Sequence, residues 1–354
     1  MKRAFPLSAA GPIVLALAGP SWAETSSWML RGDPAPPNKQ AQTAPAKGKT
    51  QPAPAPAAPA PSSTHIKTSP GIVGDDAAYM AFDQGQYLTA LDLAEQAAAR
   101  GDPQAHTLVG RIYGEGLGVG KDEVTAARWY ARAADLGDVE AMFLLGVLLA
   151  EGRGAGKDRV AAGQMFERAA REGHALANYN LALLFLGGDG KPENPHRGAQ
   201  HMAYAAERGI ATAQYDLAGL YQKGHGVRAD AFEAARWMRA AAEQGLAEAQ
   251  YEYAVMLLRG SGLNSDTPKA IEYLRAAAEK GIPGAQNRLA HVFADGVRVE
   301  KNLVEAGKWR LIAKANGIAD ETLDKFLTKL SKTDRQAAEK AAYEWRERAA
   351  VQIE

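Results

Sequence analysis

Between Gly101 and Gly317, apolar and small residues return to the same places every 36 positions. We number each segment from its marker glycine: Gly101, Gly137, Gly173, Gly209, Gly245 and Gly281. Position 5 is always alanine, position 9 is apolar or tyrosine, position 12 is aliphatic or Met, and position 16 is always glycine. Steps of four, three and four residues put these positions on one face of a helix of about 3.6 residues per turn. The first half of every segment therefore predicts an amphipathic helix. A second helix is marked by a small residue at position 26 (Ala126, Ala162, Gly198, Ala234, Ala270, Ala306), large residues at position 29 such as Trp129, Trp237, Tyr273 and Trp309, and alanine at position 33.

Glycines at positions 16 and 18, as in Gly152 and Gly154, predict a left-handed cap and a tight turn, conformations with positive φ that glycine adopts without strain. The second glycine fails once, at Arg298. Four residues later comes Asp or Asn in every segment: Asp122, Asp158, Asn194, Asp230, Asp266 and Asn302. A short oxygen-bearing side chain there predicts an N-cap for the second helix, worth about 1 kcal/mol over alanine.

Small residues on facing helices let the axes approach closely, and the large residue at position 29 is expected to fill the space beside them. A single helix pair cannot cover its own apolar face; stacking each pair on the next does, with a polar cap at each end. The combination of Ala(5), Leu(9), Gly or Ala(10), Gly-x-Gly, Asp, Ala, Trp-Tyr, Ala-Ala and Gly resembles the Sel-1-like repeat family, relatives of the tetratricopeptide repeats. Gly101 to Leu136 and Gly209 to Gln244 carry it most fully. The tetratricopeptide period is 34, so the longer period and the glycine pair favour the Sel-1-like branch. The resemblance implies an all-α, right-handed superhelical solenoid. It also implies a protein-binding scaffold, with no family catalytic motif to carry over.

The ends read differently from the array. Residues 1–23 read as a secretory leader, with Lys2 and Arg3, an apolar stretch from Leu7 to Ala18, and Ser21-Trp22-Ala23 as a cleavage signal. Residues 24–74 form a Pro/Ala-rich tether: Arg31 to Pro70 holds ten of the 18 prolines and too little apolar surface to offset ordering. Residues 75–100, with Tyr79, Phe82, Tyr87 and Leu91, predict an N-terminal capping helix pair, ahead of six repeats over 101–316. Residues 317–354 predict C-terminal capping helices, the last starting at Thr333-Asp334. An exported destination follows, the periplasm of a Gram-negative bacterium first and the extracellular space second.

Composition narrows the chemistry further. Lys plus Arg and Asp plus Glu number 41 each in 354 residues, so the formal net charge is zero and a basic nucleic-acid footprint is missing. No apolar run reaches the roughly 18 residues of a membrane span. Cysteine is absent, which excludes disulfides and a lipid-modified cysteine alike. Two loops, Gly114 to Lys121 and Gly152 to Lys157, imitate a phosphate loop. They lack the glycine five residues before Gly-Lys and the Ser or Thr after it, and they follow helices. No pair among the seven histidines has the i,i+4 spacing of a helical metal site, and no Gly-x-Ser-x-Gly elbow occurs. We expect no cofactor, no metal and no catalytic residue.

Positions 4, 8, 11 and 15 of the first helices vary between repeats and lie opposite the shared face, which predicts an exposed inner stripe. It is apolar in repeats one to three (Leu108, Leu144, Val147, Leu176, Leu183) and polar in repeats four to six (Thr212, Asp216, Lys223, Glu248, Glu252, Arg259, Arg288, Asp295). Beside it runs an aromatic ladder at position 7: Phe143, Tyr179, Tyr215 and Tyr251. Apolar patches rimmed by polar groups mark partner sites, and aromatics anchor them. The other reading has the ladder wedged between neighbouring first helices and the leucines facing the solenoid's own wall. The functional expectation is a non-catalytic scaffold or regulator binding a partner protein or peptide in the groove. The alternatives are an enzyme acting on cell-wall or β-lactam substrates and a secreted host-interaction factor.

Overall fold

The computed structural model describes residues 76–296 and 299–351; the leader and tether expectations lie outside them, as does Arg298. The described residues form sixteen helices and no strand. A short pair, α1 (Asp76–Asp83) and α2 (Tyr87–Ala99), precedes six pairs of 13-residue helices. These are α3 (Pro103–Glu115) with α4 (Glu123–Asp135), α5 (Val139–Glu151) with α6 (Arg159–Arg171), α7 (Ala175–Gly187) with α8 (Pro195–Glu207), α9 (Ala211–Lys223) with α10 (Ala231–Glu243), α11 (Ala247–Arg259) with α12 (Thr267–Glu279), and α13 (Pro283–Asp295) with α14 (Leu303–Ala315). Two more, α15 (Glu321–Lys329) and α16 (Lys332–Val351), complete the order. Each helix packs chiefly on its neighbours in sequence, the pattern of an all-α solenoid.

The turn chemistry is as the sequence dictates. The position-16 glycines cap all six first helices in the left-handed conformation, with φ between 67° and 76°. Every position-22 Asp or Asn accepts a backbone N–H of the helix it opens, as Asp158 does from Ala161 at 2.9 Å. The position-18 glycine has a second duty beyond its φ. At Gly154, Gly190, Gly226 and Gly262 a Cβ would overlap the first carbonyl of the preceding repeat's second helix, at Glu123, Arg159, Pro195 and Ala231. Each loop thus lies directly on the helix start of the repeat before it.

The tight contact inside each pair differs from expectation. Position 30, one residue after the position expected to fill it, is the buried plug throughout: Tyr130, Phe166, Met202, Met238, Leu274 and Arg310 are all at most 6% exposed. Its partner is position 10. Where the plug is a ring, position 10 is glycine, since a Cβ on Gly110 or Gly146 would stand 2.7 Å from the Tyr130 or Phe166 ring. Where the plug is Met, Leu or Arg, position 10 is alanine: Ala182, Ala218, Ala254 and Ala290. Position 29 is mixed, with Trp309 buried but Trp129, Met165, His201 and Tyr273 only partly covered. The helical period permits either residue to point inward, and side-chain direction decides.

At the last repeat the plug is charged. Arg310, fully buried, donates to Asp324 of α15 at 2.9 Å, to Asn287 at 3.0 Å and to the Ile318 carbonyl at 3.0 Å. It ties α15 to α13 and α14. The final helix starts just before the expected Thr333, where the Ser331 hydroxyl accepts the Asp334 N–H at 3.0 Å.

Candidate functional site

The wall formed by the first helices is built by a repeating contact that the ladder makes. Tyr179 of α7 reaches across to α9, its hydroxyl donating to Asp216 Oδ2 at 2.8 Å, with Thr212 also hydrogen-bonded to it. Tyr215 on α9 feels the carboxylate charges of Glu252, Asp216 and Glu248. The Tyr251 ring on α11 lies 3.0 Å from where a Gly284 Cβ would be. Position 7 thus meets positions 4 and 8 of the next repeat at Tyr179, and position 4 at Tyr251. Phe143 is stacked on His174, one repeat on, with centroids 4.6 Å apart.

The expected exposed stripe is therefore largely interior at its N-terminal end. Leu108, Phe143, Leu144, Val147 and Tyr179 are between 1% and 8% exposed. Leu108 shares a buried cluster with Ala78 and Ala81 of α1, and Phe143, Leu144 and Val147 share one with Phe166 of α6. Leu176, Leu183, Tyr215 and Tyr251 stay half-buried, packed against the core from outside. Four of the nine singled-out residues thus stay partly accessible on α7, α9 and α11, and the other five lie in the core.

The electrostatics of this strip follow from burial. Burial pushes the Asp216 carboxyl up to about 6, against the Tyr179 hydrogen bond and the Lys223 charge, which pull it down. Burial also raises Glu252, with Arg259 and Arg288 opposing it. Tyr215 is pushed up to about 12 by burial first and then by the carboxylates of Glu252, Asp216 and Glu248.

A polar row at position 6 is a feature that sequence periodicity did not single out. Gln214, Gln250 and Gln286 each donate from Nε2 to the carbonyl eight residues back, at 3.0, 3.3 and 3.1 Å, and Asn178 donates likewise to Ala170 at 3.4 Å. These amides give a second donor to carbonyls at the end of the preceding second helix, which also accept the N–H of Gly173, Gly209, Gly245 and Gly281. The signal was present as a polar residue beside the invariant alanine, in a register that buries it.

The remaining suspects resolve into structural roles. The glycine-lysine loops are repeat turns, with Lys121 paired to Glu123 at 2.9 Å. His174 caps α7 and meets Glu140 at 3.1 Å, His201 meets Asn178 at 2.8 Å, and His291 meets Asp320 at 2.7 Å. Among the described residues no three His, Asp or Glu side chains gather as a metal site, and no helix is long and apolar enough to cross a membrane.

Stacked 36-residue helix pairs, glycine-capped and docked loop on helix, define a helical-repeat protein. The Sel1 repeat model matches residues 103–138, 139–174, 175–210, 211–246, 247–282 and 283–317. The chain belongs to the Sel1 repeat family, whose members generally mediate protein–protein interaction and are typically non-catalytic scaffolds. It is similar to c5321, a protective antigen of uropathogenic Escherichia coli with an SLR fold, at 28% identity and a TM-score of 0.66 over 78% of this chain. The chain spans 60% of the length of that antigen. It is also similar to a Sel1 repeat protein from Oxalobacter formigenes, at 30% identity and a TM-score of 0.61, over 68% of this chain and 98% of the other. No curated protein matches it significantly.

Proposed function

We propose that the protein is an exported, non-catalytic scaffold that holds a partner protein or peptide against the first-helix wall of repeats three to five. The observation that supports this most is that Leu176, Leu183, Tyr215 and Tyr251 stay half-buried on the first helices while the apolar residues at the same positions of repeats one and two are buried. Repeats one and two serve as a packed platform, since their leucines are spent on the core. Export rests on the leader-like residues 1–23, and the periplasm is the destination they favour.

The test places a photo-crosslinking residue at Leu176 and identifies what it captures in cells, with Leu183→Glu and Tyr251→Glu as controls. Capture should be lost in both variants while the helical melt persists. Capture that ignores both substitutions overturns the assignment of the strip, and recovery of the full chain in the cytoplasmic fraction overturns export. A host-facing role is the second reading. It is supported by the similarity to a protein described as a protective antigen.

A further inference from the structure

The turn of repeat five is drawn less tightly over its helix end than the other turns are. In the other five repeats a Cβ on the position-16 glycine would meet the Cβ of the position-21 residue at 2.9–3.3 Å, as Gly152 would meet Lys157. At Gly260 the position-21 Cβ, that of Ser265, stands back at 3.8 Å. The packing beneath this turn changes as well. Position 13 carries a ring in repeats one, three, four and six (Tyr113, Phe185, Tyr221, Phe293) but Leu257 here, and position 9 carries Tyr253 where every other repeat has Val or Leu. A cavity of about 500 Å³ lies at this place, between the end of α11 and the start of α12. Small-molecule sites span about 300–1,000 Å³.

Two side chains that the core otherwise encloses line it. Tyr253 and Thr267 are 5% and 6% exposed, and among the described residues neither hydroxyl has a hydrogen-bond partner. The buried Tyr179 differs, since its hydroxyl is donated to Asp216. A hydroxyl so enclosed is costly unless water or a ligand meets it. Burial raises the Tyr253 pKa, so the phenol stays a donor at neutral pH. The rest of the lining decides what kind of ligand fits. Pro268 has no N–H and the Lys269 N–H is already donated to Asp266 at 3.0 Å, so the start of α12 offers few of the free donors that hold anions at helix ends. The Lys269 and Asp266 charges are opposite in sign and leave the cavity without net charge. What remains are hydroxyls and the Asn264 amide, which both donate and accept, beside the apolar Leu257 and Leu263.

We infer that the cavity at the turn of repeat five binds a neutral sugar unit, whose hydroxyls bond to those of Tyr253 and Thr267 and whose C–H face rests on Leu257 and Leu263. A sugar ring combines the two properties this lining asks for, many groups that donate and accept and an apolar face, without a charge. The site is separate from the half-buried residues of the first-helix wall and does not rest on the reading given to them. It adds a small ligand to a scaffold for proteins.

The probes are glucose, galactose, N-acetylglucosamine and maltose, each titrated against the full chain and read by saturation-transfer difference NMR, with acetate as the anionic control. At least one sugar should receive saturation from the protein. Its Kd should rise about threefold or more in Tyr253→Phe and in Thr267→Val, each of which deletes one oxygen and keeps the shape. Leu257→Phe installs the ring that position 13 carries in four other repeats; it should fill the cavity and remove the signal. Helical melts should persist in all three variants. Tyr253→Phe and Thr267→Val should melt at or above the parent midpoint, because the hydroxyls they delete have no partner in the free protein. No signal from any of the four sugars, a signal indifferent to the three variants, or saturation of acetate in place of the sugars overturns the inference. A lowered midpoint in both oxygen-deleting variants overturns it too, since the hydroxyls would then serve the fold. Partner capture at Leu176 should be the same in Leu257→Phe as in the parent, which keeps the failure of this inference distinct from the failure of the scaffold reading.

Discussion

Replacing Gly146 by alanine sets two forces of known sign against each other. Gly146 lies in the middle of α5, where alanine is favoured over glycine by about 1 kcal/mol. The new Cβ, however, would stand 2.7 Å from Phe166 Cε1 and 2.8 Å from its Cδ1, against a comfortable carbon separation of about 3.5–4.0 Å. The Phe166 ring is fully buried, so it has no open space into which to retreat by the missing ångström. Overpacking of this kind costs about 1–3 kcal/mol, which leaves a net loss of up to about 2 kcal/mol once the helix gain is subtracted. Gly219, mid-helix in α9 with nothing within 4 Å of its Cβ site, provides the control, and Gly219→Ala should stabilise by up to about 1 kcal/mol. Phe166→Met should relieve the strain of Gly146→Ala, because alanine over methionine is the pairing found at Ala182 with Met202 and Ala218 with Met238. Urea melts of the four members of this cycle give the coupling directly, expected at about 0.5–3 kcal/mol in favour of the double variant. Should Gly146→Ala stabilise as much as Gly219→Ala, or Phe166→Met fail to rescue it, the account of positions 10 and 30 is wrong.

Other consequences are open to the same melts. Gly224 and Gly226 share one turn, with φ of 67° and 73°, but only at Gly226 would a Cβ overlap a carbonyl, that of Pro195. Gly226→Ala should therefore cost about 1–3 kcal/mol more than Gly224→Ala; equal losses would mean that the docked loop contributes nothing. Asp216 has a second, pH-dependent signature. Its folded value of about 6 lies above the ordinary 3.8, so its favourable contribution is complete below pH 4 and is lost as pH rises through 6. That gap amounts to about 3 kcal/mol at most. Asp216→Asn, which still accepts the Tyr179 hydroxyl, should stabilise the protein at pH 7 and leave it unchanged at pH 3.5; a variant-minus-parent difference flat from pH 3.5 to 7 contradicts this. Asp158→Ala should cost about 1 kcal/mol through the lost cap of α6, read as a lower midpoint.

Much of the fold was legible because its determinants are local. A C-cap needs positive φ at one residue and an N-cap needs one short oxygen, so Gly152 and Asp158 announce their roles without any tertiary information. Positions 10 and 30 were harder to read. Trp129, Trp237 and Trp309 draw the eye to position 29, while the true plug varies from Tyr130 to Met202 to Arg310. Its constraint is a sum of volumes shared with position 10, which appears only when the two helices are laid together. The second duty of Gly154 was illegible for the same reason, since the carbonyl it must clear belongs to another repeat.

The site shows where periodicity misleads. A residue that varies between repeats looks free of packing duty, yet Leu108, Leu144 and Val147 vary and are buried. Variation along position 8 records a contact that changes character along the array. It is apolar where Leu144 sits, closed by a hydroxyl where Tyr179 meets Asp216, and charged at Glu252 and Arg288. The core tolerates the first two forms because every group in them has a neighbour of its own kind. At Glu252 burial raises the carboxyl while the charges of Arg259 and Arg288 act against that shift, so the charged form too has its counterweight within the chain. A varying position therefore records a changing internal contact as readily as a free surface, which is why variation alone does not separate the buried Leu144 from the half-buried Leu183.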